Sequence, residues 1–388
     1  MSTIINARSP YFVKYEASQS SRTLVSVQVN VFIYSGVFTT DKPSTSDFFI
    51  ERQVITSDTP FIVIDIAEFI RDELYTKYYT SAIDAVWVEL DSIITETDNG
   101  TFTVQDDRDF LAFDGFGYFD EGSNPRRFNQ PQNPTQPYTP QVLQDNDCIY
   151  FTTGRDIRIP LFSEPQGTAS YVGGAGYWNE TDYYWTAADV NWDGTAVSQV
   201  ITDSDDSNDK IQYLILGAGQ FGDGDTITIQ SNVGSSQTTV LTLNKLQCGK
   251  FEKIRVVFYN KYGALQDVWV DKKSTQSIQV RDQEFKVNTL DYTTTIPSYD
   301  TNSHTRQRFD VLANERIICN TGFIKECMND PIKQLLLSES VWLEFEDLSV
   351  IPVIIRTTSQ QFKTGVNDKL IQYSFEFEYA FDTIQNVR

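Results

Sequence analysis

Short runs of alternating apolar and polar side chains dominate the chain. In residues 24–34, LVSVQVNVFIY, Val25, Val27, Val29, Val31 and Ile33 share one side, and Ser26, Gln28 and Asn30 the other. Successive side chains of a strand point to opposite faces, so this period of two predicts a half-buried β-strand. Residues 370–379, LIQYSFEFEY, repeat the pattern, with Ile371, Tyr373, Phe375, Phe377 and Tyr379 opposing Gln372, Ser374, Glu376 and Glu378. Residues 226–230 and 238–243 flank a Gly- and Ser-containing stretch, and 254–259 and 267–270 flank NKYGALQ. Both read as hairpins with longer loops, and their β-branched and aromatic content supports strands.

Helical spacing is rare. Residues 65–78 predict one helix: Asp65 caps it, Glu68 follows three residues on, and Ile66, Phe69, Ile70 and Leu74 fall on one face. A second, short helix starts at Asp330 as cap and Pro331 as first helical residue, with Ile332, Leu335 and Leu336 facing inward. Residues 99–147 fit neither period. They are rich in Asp, Gly, Asn, Gln and Pro, yet carry Phe110, Phe113, Phe116, Tyr118 and Phe119. Such aromatics are uncommon in disordered linkers, so the stretch reads as an arm that docks on something.

The expected fold class is mainly β. Two β-sandwich-like domains each carry one short helix, beside an acidic Gly-rich β region and an extended arm. The expected division is 1–98 (β domain with one helix), 99–148 (Pro/Gln/Asn-rich arm or linker), 149–247 (acidic β region, an insertion candidate) and 248–388 (β domain with a short helix). At 388 residues the chain has room for more than one core.

Charge changes the picture. The 31 Lys and Arg against 53 Asp and Glu leave a net −22. Phosphate backbones and anionic membrane surfaces repel such a chain, which argues against non-specific nucleic-acid binding and against adsorption to an anionic membrane. The opening MSTIINARSPYF lacks a basic stretch followed by an apolar one, and no apolar run reaches the ~18 residues of a membrane span. The expectation is a chain made in the host cytoplasm. Cys148, Cys248, Cys319 and Cys327 form no CxxC pair, so zinc is not indicated. Reduced, buried cysteines are the expectation, with Cys319–Cys327 as the alternative pairing.

Candidate chemistry is thin. Asp189, Asn191 and Asp193, followed by Gly194, match the first half of a calcium loop. The twelfth position is Val200 where a bidentate Glu belongs, so the match to a calcium site is confined to its first half, and no other cofactor is indicated. Turn formation explains these Asp and Asn residues as well. The single histidine, His304, has Ser303 and Thr305 only as sequence neighbours, and reads as an exposed loop residue. There is no G-x-S-x-G, and GAGQFGDG at 217–224 reads as a hairpin turn. Aromatic residues make up 13% of the chain, which is high. In YWNETDYYW the rings of Trp178, Tyr183, Tyr184 and Trp185 are too dense for one buried strand; they face a partner subunit or stack on sugar, and ordinary β-core filling explains the aromatic content as well.

Three stretches carry a resemblance. They are RSPYFVKYEA with FIVIDIAEFIRDELYTKYY; FLAFDGFGYFDEGSNP with KIRVVFYNKYGALQDVWV; and NTGFIKECMNDPIKQLLLSESVWLEFEDLSVIPVII with FKTGVNDKLIQYSFEFEYAFD. Together they resemble virion structural proteins of tailed phages that infect Bacteroidota. The resemblance implies a tail, baseplate or connector position and carries no residue assignments. The function it implies is a non-enzymatic structural protein that forms an oligomeric ring with itself and with other virion proteins. Phe113, Phe116, Tyr118, Phe119, Trp178, Tyr183, Tyr184 and Trp185 are then the candidate interface. The competing reading is a carbohydrate-binding module that attaches the particle to host surface glycans.

Overall fold

A computed structural model of the chain describes residues 3–35, 38, 40–54, 61–74, 78, 85–122, 141–162, 167–172, 196–201, 211–231, 238–247, 249–293, 295–364 and 371–384. The fold is mainly β, as the alternation predicts, with several separate sheets and two α-helices among the described residues. None of their helices is long and apolar enough to cross a membrane. The chain divides into two compact units. Unit 1 holds residues 1–247, 257–268 and 327–338, and unit 2 holds 248–256, 269–326 and 339–388. Of the four expected segments, 1–98, 99–148 and 149–247 all fall in unit 1, and 248–388 is divided between both units.

Unit 1 begins with a six-stranded sheet whose long central strands are Thr23–Tyr34 and Ala85–Thr97. Val27, Val29, Val31 and Ile33 lie on one face, opposite Ile94, Ser92, Leu90 and Val88. The ribbon of Phe12–Glu16 and Phe61–Asp65 covers that face with Val13, Tyr15, Ile62 and Ile64. Val25 departs from the expected pattern. A bulge between Leu24 and Ser26 shifts the register, so Leu24 is buried in its place and Val25 is exposed.

The other face of the sheet changes character along its length. Phe32, Tyr34, Trp87, Leu111 and Phe113 form an apolar end, buried with Leu143, Phe162, Ile211 and Ala264. Asn30, Glu89, Asp91 and Asp109 form a polar end. A further layer in unit 1 is a small sandwich. Ile157, Ile159 and Leu161, with Leu214 and Leu216, pack on Ile227, Ile229, Leu241 and Leu243 of a five-stranded sheet. Thr226–Ser231 and Thr238–Lys245 pair antiparallel, as the hairpin reading expects.

Three expectations need correction in unit 1. Residues 99–122 are not a free arm: Thr101–Gln105 pairs with Ala85–Thr97, and Arg108–Phe113 is an inner strand between Thr3–Asn6 and Ala85–Thr97. The stretch 123–140 lies outside the described residues. The first helix is shorter than 65–78 and runs Ala67–Ile70, continued by one 3-10 turn, Arg71–Glu73. Asp65 still serves its start, accepting the Ala67 N–H at 3.1 Å. Finally, Cys148 and Cys327 form a disulfide, while Cys319 is free and buried.

The disulfide sits beside the second helix, Asn329–Leu337, which starts one residue before Asp330. Ile332 and Leu335 are fully buried, as the spacing predicts, and so is Gln334 between them. Gln334 accepts the Lys261 N–H at 3.0 Å and donates to Asp145 Oδ2 at 2.7 Å. Asn260 donates to the Leu143 carbonyl at 2.6 Å and Gln266 to Asn146 Oδ1 at 2.8 Å, so buried amides satisfy one another here. Gly263, with φ +77°, lets this loop approach the Asp114 backbone, which an added Cβ would meet at 2.9 Å.

Unit 2 is built on antiparallel strands. Val341–Glu344, Val350–Ile355, Ser374–Tyr379, Arg306–Asn320 and Thr275–Lys286 follow one another across the sheet. The alternation at the C-terminus holds: Ile371, Tyr373, Phe375, Phe377 and Tyr379 are all buried. Ile317 lies opposite Phe377 and Cys319 opposite Phe375.

Candidate functional site

The residues expected at an interface take different places in the structure. Phe113 is not a surface residue. It is fully buried, paired across the sheet with Ala85, and meets the Phe162 ring edge-on at 5.7 Å. Phe116 and Tyr118 are half-buried and pack on each other at 5.7 Å, with the Lys333 ammonium 3.9 Å from the Tyr118 ring centre. Phe119 is fully exposed. Trp178, Tyr183, Tyr184 and Trp185 lie outside the described residues, as do the calcium-loop candidates Asp189, Asn191 and Asp193.

The polar end of the unit 1 sheet brings titratable groups together. Glu89 and Asp109 are cross-strand neighbours, with Asp91 two residues along. Lys42 lies on them, 2.8 Å from Glu89 and 2.9 Å from Asp91, with its ammonium 4.3 Å from the Phe32 ring centre. Tyr34 donates a hydrogen bond to Glu89. Partial burial, and then the Glu89 charge, raise the Asp109 pKa above the ordinary carboxylate range. Glu89 is thus tied to a cation and a phenol, an arrangement that fixes charges in place. A shallow groove alongside, lined by Tyr11–Lys14 and Arg108–Phe110, includes Asp109 but not Glu89. Cys319 is remote from chemistry too, since burial pushes its thiol up to about 12 and keeps it protonated.

The feature that stands out is in unit 2. Thr275–Lys286 is a twelve-residue strand with every residue exposed; among the described residues it pairs with Arg306–Asn320 alone, whose first five residues are exposed too. Between them lies a small second ribbon, Leu290–Asp291 with Ser298–Tyr299. This hairpin arm is roughly 40 Å long at the usual strand rise. It exposes large apolar side chains along its length: Ile278 at 58%, Val280 at 45%, Phe285 at 45%, Tyr292 at 66%, Tyr299 at 65% and Phe309 at 44%. By strand alternation Ile278 and Val280 share one face, and Phe285 lies on the other, its ring 5.5 Å from that of Phe309. A bulge between Arg281 and Gln283, with Asp310 at φ 49°, bends the arm midway. His304 is exposed near the tip.

The alternation of Ile278 and Val280 in residues 275–286, TQSIQVRDQEFK, signals a strand but not its exposure. The turn-forming PSYDTNSHT that follows marks the tip region. Charge is also unevenly placed. Unit 1 carries 16 Lys and Arg against 36 Asp and Glu, and unit 2 carries 15 against 17, so the −22 splits into −20 and −2. No protein-family model matches the chain, and no curated protein matches it.

Proposed function

We propose that this chain is a non-enzymatic structural protein of a phage particle, which assembles with itself and with other virion proteins into a ring in the tail, baseplate or connector. The observation that carries this reading is the solvent-bathed arm of unit 2, with Ile278, Val280, Phe285, Tyr292 and Phe309 exposed on a single projecting hairpin. Large apolar side chains left in water at this density on one hairpin point to a place where another protein binds. The three stretches that resemble tailed-phage virion proteins supply the setting, and edge strands and extended arms suit head-to-tail contacts that close by rotation. The −20 of unit 1 suits a surface along which DNA moves without adhering, by like-charge repulsion.

Mass photometry of the purified chain, with mass spectrometry of purified particles, tests the reading. A closed oligomer and recovery of the chain from particles are expected. A chain that stays single at high concentration, is missing from particles, and turns over a small substrate or binds glycans instead would overturn it.

A further inference from the structure

We propose that the hairpin arm of one copy pairs, strand to strand, with the edge strand Phe48–Gln53 of a second copy. The inference rests on the reading of the chain as a self-assembling component and names the surface that does the assembling. Phe48–Gln53 ends the six-stranded sheet of unit 1. It pairs on its inner side with Thr23–Tyr34, from Ser26 opposite Gln53 to Val31 opposite Phe48. Among the described residues no strand lies on its outer side. Phe48 is 38% and Phe49 59% exposed there. An edge of this kind presents a row of outward N–H and C=O groups, a template for one more strand.

Thr275–Lys286 is the complementary piece, because it too ends its own sheet. Pairing the two edges joins main chains by hydrogen bonds and lets the arm's side chains cover Phe48 and Phe49. The arm supplies much of the area such a contact needs. Ile278, Val280, Phe285, Leu290, Tyr292 and Phe309 each expose on the order of 100 Å², so the arm offers roughly 600 Å² of apolar side chain before backbone is counted. A stable interface needs about 800 Å² per partner in all.

Charge selects which surfaces meet. Two copies of unit 1, at −20 each, repel, whereas unit 2 at −2 approaches unit 1 with little penalty. Arm against unit 1 edge is a heterologous contact, in which every copy both gives and receives, and so it propagates around a ring. Another exposed apolar set in unit 1, on the Phe12–Glu16 and Phe61–Asp65 ribbon, is less available, because the Lys14 ammonium lies 4.7 Å from the Phe61 ring centre.

Full-length Ile278→Asp and Phe49→Asp chains test the pairing by mass photometry and sedimentation. Both positions are exposed, circular dichroism checks the fold, and Tyr292→Asp near the tip serves as a second arm variant. Each variant alone is expected to weaken self-association at least tenfold. Mixing Ile278→Asp copies, which keep the edge, with Phe49→Asp copies, which keep the arm, is expected to give one-to-one dimers that neither forms alone. Oligomers unaffected by all three variants would overturn the pairing and leave the ring reading standing. Variants that weaken association but do not complement on mixing would overturn it in favour of a symmetric contact. A wild-type chain that never associates would overturn both.

Discussion

Removing the Cys148–Cys327 disulfide perturbs unit 1 at one covalent point. The bridge joins residues 179 apart in sequence. In the chain-entropy description, closing a loop of that length costs the unfolded chain roughly 18 cal/mol/K, about 5 kcal/mol at room temperature. Losses on removing native disulfides run about 2–5 kcal/mol, against a total stability of about 5–15 kcal/mol for a domain. The native side of the balance matters as well. Asn329–Leu337 has nine residues, too few to hold as a helix alone, so it depends on burial of Ile332 and Leu335, on the two Gln334 hydrogen bonds, and on the bridge at its start. Cys148→Ala, Cys327→Ala and the double variant are compared with wild type by urea unfolding, with and without reductant. Reduced wild type and all three variants are expected to lose about 2–5 kcal/mol, and the variants to be insensitive to reductant. Coincident midpoints for oxidised and reduced wild type would refute the reasoning, as would alkylation of Cys148 and Cys327 in the unfolded chain without prior reduction. A reducing cytoplasm holds these thiols open, so the added stability is gained only under oxidising conditions.

Acid should unfold the chain partly through Glu96. Burial opposes its ionisation, but hydrogen bonds from the Ser18 N–H, the Ser18 hydroxyl at 2.8 Å and Arg22 at 3.2 Å outweigh that and hold its pKa below the ordinary range. A lowered folded pKa gives stability that is present above the unfolded value and lost as pH falls through the folded one; Glu96→Gln is expected to flatten that acid limb in urea titrations and to cost about 1–3 kcal/mol at neutral pH. Gly263→Ala combines a left-handed φ with a Cβ 2.9 Å from the Asp114 carbonyl carbon, so thermal unfolding should show a loss of roughly 1–3 kcal/mol. At the arm's bulge, Asp310→Val places a β-branched residue at φ 49° and should make the arm markedly more sensitive to limited proteolysis than Asp310→Gly, which adopts that φ without strain.

The strands were legible because period two is a local property. Residues 24–34 show where that ends. An apolar–polar count cannot register the bulge that exchanges Leu24 for Val25, since the bulge is defined by the partner strand. The unbroken VFIY at 31–34 was the visible hint that both faces are buried there, which Phe32 and Tyr34 fulfil. Phe113 misled for a related reason. It lies in a string of Asp and Gly that reads as loop, and only its pairing with the distant Ala85 makes it core. The disulfide is equally non-local: four cysteines allow three full pairings, and nothing in their spacing favours Cys148 with Cys327. The arm was missed because burial, not sequence pattern, distinguishes an exposed Ile278 or Phe285 from a core one.

An isolated hairpin is marginal in water, so the persistence of this arm needs an anchor. Its base supplies one. Arg306–Asn320 continues from the exposed arm into the sheet of unit 2, where Ile317 and Cys319 are buried opposite Phe377 and Phe375. Beyond the bulge the arm leaves that support, and there Phe285 and Phe309 pack ring to ring, each still nearly half exposed. Proteins ordinarily keep exposed edges short or protect them with charge, because a long apolar edge invites indiscriminate pairing. Here protection and invitation are combined. Arg281, Asp282, Glu284 and Lys286 put both signs of charge within six residues, all exposed, with Asp282 held by Arg308 at 2.6 Å. Opposite-charge neighbours stabilise one cross-strand register and like charges reject the others, so such a strand accepts a matched edge and resists random ones. Apolar area without charge would aggregate and charge without apolar area would stay solvated; the two together on one hairpin are what the proposed pairing with a defined neighbour requires.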